Sequence, residues 1–471
     1  MNFKCFGQKI LNKYHSPMPQ QAFRRHLLIC FAAAVLLRIV LAWPALNDPA
    51  TLLRPDSMGY WNPARAVAAG DGLVSEPGSD TLEVIRPVGY IAWLAAGILC
   101  SGDSLLFAGV MGILISAATI FPLAWGVQKL CGSKRAGTVG AWLWAVCITP
   151  IGAAPLILSD TLLGLLSAYQ FCAAVYFIQD KKLWQFALLS LAAMAGALTK
   201  TVNLPVVLVG LPVILLAAWL PWQDTWRAIL IWLVLFCAVI MPYWVRNYSL
   251  CGDFDGNSAN LYFHNGSAIM ARATGESSEV WRNKLLQKAE QEFAADPERY
   301  STLKAQNQWK KSQYRQMAAD YPRETALAHL PNIFNLMPDV PSLLENNHIT
   351  SGERGTMAVL RREGFTAAVN HYLDGRWTIL IFLLPLLVIY AAFMLAALIQ
   401  LCIYFKRRQW PWLLLFGVQV FYYILAPGPV ISGRYLLPAL PMLIAMAVQF
   451  TVFQRKKTEF SEANIQEKGA L

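Results

Sequence analysis

The sequence predicts an all-α integral membrane protein, a bundle of about ten transmembrane helices with a large loop between the seventh and the eighth. Three observations carry this. Of 471 residues, 56% are hydrophobic and 14% are charged, an apolar fraction that soluble chains of this length rarely reach. The apolar residues gather into runs of about 17–25, the length that crosses about 30 Å of hydrocarbon. The basic residues fall in short loops between those runs, so the net charge of +11 reports orientation and speaks against a nucleic-acid partner.

The elements follow in order. Residues 1–25 are a basic tail, long for the leading region of a signal peptide. The run 26–44 exceeds an ordinary signal core, and no small-x-small cleavage site follows, so it reads as a retained first span. Further runs cover 104–130, 136–151, 160–179, 183–199, 203–221, 227–245, 377–402, 409–426 and 435–453. The run 87–100, PVGYIAWLAAGILC, is short for a span, and charge decides its placement. The basic lead puts the N-terminus in the cytoplasm. If 87–100 crossed, the loops Gly132–Arg135, Asp180–Lys182, Lys406–Arg408 and Gln454–Lys457 would all lie outside. As an amphipathic helix on the outer surface, it leaves them all inside, with ten spans and both termini cytoplasmic.

The chain then divides into a cytoplasmic tail 1–25, an N-terminal membrane module 26–245 containing an outer loop 45–103, a large outer loop 246–376, C-terminal membrane helices 377–453 and a cytoplasmic tail 454–471. Within the large loop, Cys251–Asn260 reads as a turn-rich stretch. Ser277 to about Leu330 reads as surface or interfacial helices punctuated by Asp296-Pro297 and Tyr321-Pro322. The nine cysteines have no metal-type spacing. Cys30, Cys147, Cys172, Cys237 and Cys402 lie in apolar runs and read as packing residues, which leaves Cys100 and Cys251 as the pair that could meet on an oxidising face. His264, His329, His348 and His371 also lack a metal spacing and read as surface residues.

Ionisable residues near membrane depth are costly and therefore functional candidates. The charge-derived topology puts six on one face: Asp56 in LLRPDSMGY, Arg86 in VIRPVGY, Asp160 in LILSDTLLG, Lys200 in ALTKTVN, Arg246 in PYWVRNY and Arg434 in SGRYLLPALP. Each has a plainer reading. Asp56 and Asp160 both precede helices and could be caps. Arg86, Arg246 and Arg434 could snorkel to lipid phosphates. Arg38, inside the first span, reads as paired within the bundle.

These segments, taken in order, resemble the GT-C glycosyltransferases, which include the protein O-mannosyltransferases and the transferases that move aminoarabinose onto lipid A. LLRPDSMGYWNPARAVAAGDG followed by IRPVGYIAWLAAGILCSGDS looks like the family's first outer loop: an acidic residue and a tyrosine after the first span, a helix ending in Gly, then a basic residue before Pro. The basic loop and Pro-ended span of GSKRAGTVGAWLWAVCITP, the Asp of LSDTLLG, the TK of ALTKTVN, MPYWVRNY and RYLLPALP are similar too. The resemblance covers about residues 26–250 and 377–453, and leaves 255–370, where acceptor choice would lie, unmatched.

The resemblance implies a GT-C-like bundle with interfacial helices in its first outer loop, and an enzyme taking a sugar from a polyprenyl-phosphate carrier. It implies Asp56 as the general base toward an acceptor hydroxyl, with inversion at the anomeric carbon. Arg86 and Arg434 would hold the leaving phosphate, and Asp160 would be a second carboxylate orienting the acceptor, a metal or the basic residues. Lys200 and Arg246 follow as further phosphate or acceptor ligands, with Tyr60 and Tyr435 lining the site. Some relatives use a divalent metal and others none, so no cofactor is assigned. The acceptor could be a lipid, a glycan or a protein. Modest length and the lack of a long lumenal targeting tail favour a bacterial inner membrane, with the site on the periplasmic face. A transporter or flippase for a charged or lipid-linked substrate is the first alternative, but no internal sequence repeat is visible. A glycan ligase or polymerase is the second, since the large loop also carries Arg and His.

Overall fold

The computed structural model describes residues 18–254, 258–328, 330, 336–349, 356–428 and 432–452. Most of the basic tail, the C-terminal tail with Gln454–Lys457, and His329 lie outside the described residues. The protein is all-helical, and its β pairing among the described residues is one isolated bridge, Val74 with Leu82.

Helix α1 (Gln20–Leu41) carries the first apolar run. Its Arg38 is fully buried, because Nε donates to Ser116 Oγ at 2.9 Å and Nη1 donates to the carbonyls of Ala34 and Ala145 at 3.1 and 3.2 Å. A buried charge persists only with partners of this kind. Next come α2 (Met58–Ala69), closed by Gly70 at φ 92°, and α3 (Val88–Ser101). A bent apolar rod, α4 (Leu105–Cys131), leads through a turn into α5 (Lys134–Val146) and a short α6 (Ile148–Ala153). Then follow α7 (Asp160–Asp180), α8 (Leu183–Thr199), α9 (Thr201–Ala217), α10 (Trp222–Val239) and α11 (Met241–Cys251).

The large loop contributes α12 (Gly266–Thr274), α13 (Ser278–Ala295) and α14 (Leu303–Asp320). The latter two stop just before Asp296-Pro297 and Tyr321-Pro322, since proline disfavours helix in the residue ahead of it. They share a small core of their own around Tyr262, Leu285 and Ala289. A short α15 (Val340–Glu345) packs on α6. The chain finishes with α16 (Thr378–Lys406), α17 (Trp410–Leu425) and α18 (Gly433–Val452).

Among the described residues, five helices are long and apolar enough to cross a membrane: α4, α7, α10, α16 and α18. The shorter apolar helices α3, α8, α9 and α17 accompany them. Large apolar side chains point outward, with Leu216 72% and Phe382 79% exposed, as a lipid-facing surface requires. The two ends of the bundle differ in chemistry. At one end Lys129 pairs with Asp180 at 2.6 Å, Lys134 Nζ donates to Met18 O and Lys181 Nζ donates to Trp219 O, which gathers the short basic loops together. The first loop and the large loop lie at the other end. Cys251 is buried with its thiol donating to Asn247 O at 3.1 Å, and Cys100 is exposed; the two form no disulfide.

Candidate functional site

The site begins with a turn. In Arg54-Pro55-Asp56-Ser57, the Ser57 N–H donates to Arg54 O at 2.8 Å and the Arg54 N–H donates to Ser57 Oγ at 2.8 Å. Pro55 has the fixed φ that suits the second position of such a turn. Ser57 O then accepts from Tyr60 and Trp61, which starts α2. Asp56 therefore sits at the turn's corner, and its carboxylate stands free of helix α2. It caps nothing: Oδ1 accepts from Arg86 Nη2 at 2.9 Å, and Oδ2 lies 3.7 Å from Arg434 Nη2.

Arg86 is aimed by its own loop. The Glu83 carboxylate accepts the backbone N–H groups of Ile85 and Arg86 at 2.6 and 2.7 Å, and Tyr243 Oη donates to Arg86 O at 3.4 Å. Its guanidinium lies over the Tyr60 ring, 4.9 Å from the centroid. Tyr60 Oη meets Ser159 Oγ at 3.2 Å, one residue before Asp160. Asp160 opens α7 but caps nothing either; Lys200 Nζ donates to its Oδ1 at 2.6 Å. Lys200 also lies over Tyr435, 4.8 Å from the centroid, and Arg434 flanks the same ring at 5.4 Å. The contacts close into a circuit that runs from Asp56 through Arg86, Tyr60, Ser159, Asp160, Lys200, Tyr435 and Arg434 back to Asp56. Three helices, α2, α7 and α18, and four of the segments that join helices supply it, which is why no single stretch of sequence reveals it.

The two carboxylates differ in access. The Asp160 side chain is 5% exposed and that of Asp56 46%, so a second molecule can reach Asp56. Burial alone would raise the pKa of Asp56. The charge and hydrogen bond of Arg86, with Arg434 and Lys200, outweigh it and hold the carboxyl below its ordinary value.

Arg246 stands apart from this circuit. Its Nη1 donates to Glu83 O and Asn247 Oδ1, each at 2.9 Å, and its Nη2 to Leu73 O at 3.2 Å. It ties α11 to the loop that presents Arg86.

Several contributors escape a reading of the sequence. Glu83 shapes the Arg86 turn from within a polar loop. Arg54 reaches the large loop, with Nε 3.0 Å from Glu345 Oε2 and Nη2 donating to Asn346 Oδ1 at 3.2 Å. The segment 336–349 is wedged against the site end of the bundle, and Asn346 Nδ2 donates to Gly152 O at 2.8 Å. One signal was available: LMPDVPSLL (336–344) is an apolar island in a polar loop, too short to cross a membrane. Of the histidines, His348 is exposed, whereas His264 and His371 are half-buried.

The helical bundle has the GT-C fold. Two structures of an oligosaccharyltransferase from Archaeoglobus fulgidus superpose on 94% of this chain: the apo form at 14% identity with a TM-score of 0.52, and the complex of AglB with an inhibitory peptide and a dolichol-phosphate at 12% identity with a TM-score of 0.50. This chain spans about half of theirs, 52% in each case. ArnT from Cupriavidus metallidurans bound to undecaprenyl phosphate aligns over 92% of this chain and 79% of its own, at 14% identity with a TM-score of 0.40. No family model and no curated protein matches the sequence.

A divalent metal does not fit the residues present. Among the described residues no three His, Cys, Asp or Glu side chains converge, and both site carboxylates already face cations.

Proposed function

We propose that the protein is an inverting glycosyltransferase that moves a hexosyl or pentosyl group from a polyprenyl-phosphate carrier to an acceptor hydroxyl. The observation that carries this is the half-exposed Asp56 between Arg86 and Arg434. A hydroxyl is a poor nucleophile until a positioned base removes its proton. Asp56 takes that proton while the acceptor oxygen bonds to the anomeric carbon. The anomeric carbon–phosphate oxygen bond breaks on the opposite face. The polyprenyl phosphate departs as an anion and needs positive charge more than a proton, which Arg86 and Arg434 supply through charge-assisted hydrogen bonds.

Binding and activation are linked in this scheme. The arginines that hold Asp56 ionised are the groups the donor phosphate would claim. Once they turn to the phosphate, Asp56 loses its stabilising partners and becomes a stronger base when the acceptor needs one. Asp160 and Lys200 neutralise one another at the back of the site and keep Tyr435 and Arg434 in place. The lipid-phosphate in one of the archaeal structures is consistent with a carrier of this chemistry. The expected location is a bacterial inner membrane, with the site facing the periplasm, the basic loops in the cytoplasm and 246–376 receiving the acceptor.

The test supplies purified protein in lipid with a radiolabelled polyprenyl-phosphate sugar and membrane extract as acceptor. Consumption of the sugar-loaded lipid, release of polyprenyl phosphate and a product with an anomeric configuration opposite to the donor's are expected. No consumption under any acceptor condition overturns the proposal.

A further inference from the structure

We propose that Arg54 is a positioning residue that fixes the Asp56 turn to a platform supplied by the large loop. The role rests on the function proposed above, in which Asp56 is the base.

The turn that carries Asp56 has two ends. At the far end, Ser57 O accepts from the N–H groups of Tyr60 and Trp61, so that end is continuous with α2. At the near end stands Arg54, whose N–H donates to Ser57 Oγ and whose carbonyl accepts from the Ser57 N–H, each at 2.8 Å. Pro55 lies between them with its φ fixed by the ring. The Asp56 carboxylate therefore moves when Arg54 moves.

Arg54 is held in turn by its side chain, which is 13% exposed. Nε lies 3.0 Å from Glu345 Oε2, Nη2 donates to Asn346 Oδ1 at 3.2 Å, and Nη1 donates to the carbonyls of Thr51 and Leu53. A planar fork with all three nitrogens engaged fixes direction as well as distance, which an ammonium cannot do. The partners across the contact are anchored independently. Asn346 is fully buried; its Nδ2 donates to Gly152 O of α6 at 2.8 Å, and its carbonyl accepts from the Ala45 N–H at 3.1 Å. Asn347 Nδ2 donates to Leu41 O, at the end of α1, at 2.7 Å. A Cβ built on Gly152 would sit 3.0 Å from Leu343 N, so α6 and α15 pack backbone against backbone. The platform belongs to the large loop in sequence and to the membrane bundle in space.

The consequence appears when phosphate arrives. In the free protein Arg86 and Arg434 face Asp56, and they are the groups the donor phosphate would claim. After that exchange the base keeps its place only through its turn, and Arg54 anchors the turn. The large loop thereby sets the position of the base as well as receiving the acceptor.

Arg54→Lys tests this, because it keeps the charge and loses the fork. Three quantities are compared with the wild type: kcat for transfer from a polyprenyl-phosphate sugar to membrane extract, affinity of the purified full chain for undecaprenyl phosphate, and the thermal unfolding midpoint. The kcat should fall about tenfold to a hundredfold, the scale of a misplacement near 1 Å. The affinity should stay the same or rise, because Arg86 and Arg434 are untouched and a loosened Asp56 competes less well with phosphate for them. General loosening of the site would instead lower kcat, affinity and midpoint together. An unchanged kcat, or an affinity that falls with it, overturns the positioning role and leaves the donor assignment standing. A wild type that transfers no sugar overturns both. Should Arg54→Lys fail to fold, Glu345→Gln replaces it: that carboxylate is 42% exposed, and a half-exposed ion pair adds little to stability. A lower kcat at unchanged affinity then supports the role, and an unchanged kcat overturns it.

Discussion

Asp56 Oδ2 lies 3.7 Å from Arg434 Nη2, which joins the corner of the first loop to the first turn of the last membrane helix. The nearer partner, Arg86 at 2.9 Å, comes from a third segment. Asp56 is thus a group on which distant parts of the chain converge, yet its side chain is 46% exposed and supports no buried packing. Asp56→Asn should therefore remove function without removing fold. The loss of a general base typically lowers the rate by about 10²–10⁴-fold. Transfer from a polyprenyl-phosphate sugar, measured alongside thermal unfolding, checks this. Full transfer by Asp56→Asn would remove the base assignment.

The pH dependence follows from the direction of the Asp56 shift. Its folded-state pKa is depressed, so the stabilisation from Arg86 and Arg434 is present above the unfolded value, about 3.9, and is lost as pH falls through the lower folded value. In the free enzyme the acid limb of kcat/KM should therefore lie below about pH 4. In the donor complex the arginines turn to phosphate and the carboxyl returns toward its ordinary range, so the acid limb of kcat should sit at higher pH than that of kcat/KM. A kcat limb displaced to lower pH would contradict the exchange of partners.

Much of the fold was legible because a membrane imposes one strong rule: apolar runs of sufficient length must be helical, with every backbone group satisfied inside. Arg38 was legible for the same reason, since a charge inside such a run must find partners, and it does so on Ser116 and three carbonyls. Charge asymmetry put Asp56, Arg86, Asp160, Lys200, Arg246 and Arg434 on one expected face, and five of them join the circuit while Arg246 does not. Which of them touch was not visible. Asp160 pairs with Lys200, forty positions on by the separation of their numbers, because α7 and α8 pack side by side. The packing of Gly433 on the backbone of 337–339 was invisible, because periodicity carries no trace of such a contact.

Lys200 and Asp160 should matter first for stability. Their contact is 2.6 Å, with side chains 20% and 5% exposed, so removing one charge strands the other where water cannot reach it easily. Breaking a buried pair from one side costs about 3–5 kcal/mol, whereas replacing both partners with apolar groups is often close to neutral. Lys200→Met should thus lower the unfolding temperature clearly, and Lys200→Met with Asp160→Leu should recover part of the loss while remaining inactive. Differential scanning fluorimetry in detergent separates the two outcomes. A double variant less stable than either single one would mean that the pair does more than neutralise itself.

Gly59 offers the sharpest separation of stability from function. It lies in the first turn of α2, and a Cβ there would sit 3.1 Å from Arg86 Nε. Alanine is a better helix former than glycine by about 0.5–1 kcal/mol, so on propensity alone Gly59→Ala should stabilise the protein or leave it unchanged. The methyl group nevertheless occupies the space through which Arg86 reaches Asp56. Arg86 has to shift by a few tenths of an ångström, and its hydrogen bond to Asp56 is directional enough to feel that. The expected result is an unchanged or higher unfolding temperature together with a rise in KM for the polyprenyl-phosphate sugar and a lower kcat. If Gly59→Ala transfers sugar as fast as the wild type at every donor concentration, the position of Arg86 over Tyr60 is not what the reaction depends on, and the clasp around Asp56 would have to work through Arg434 alone.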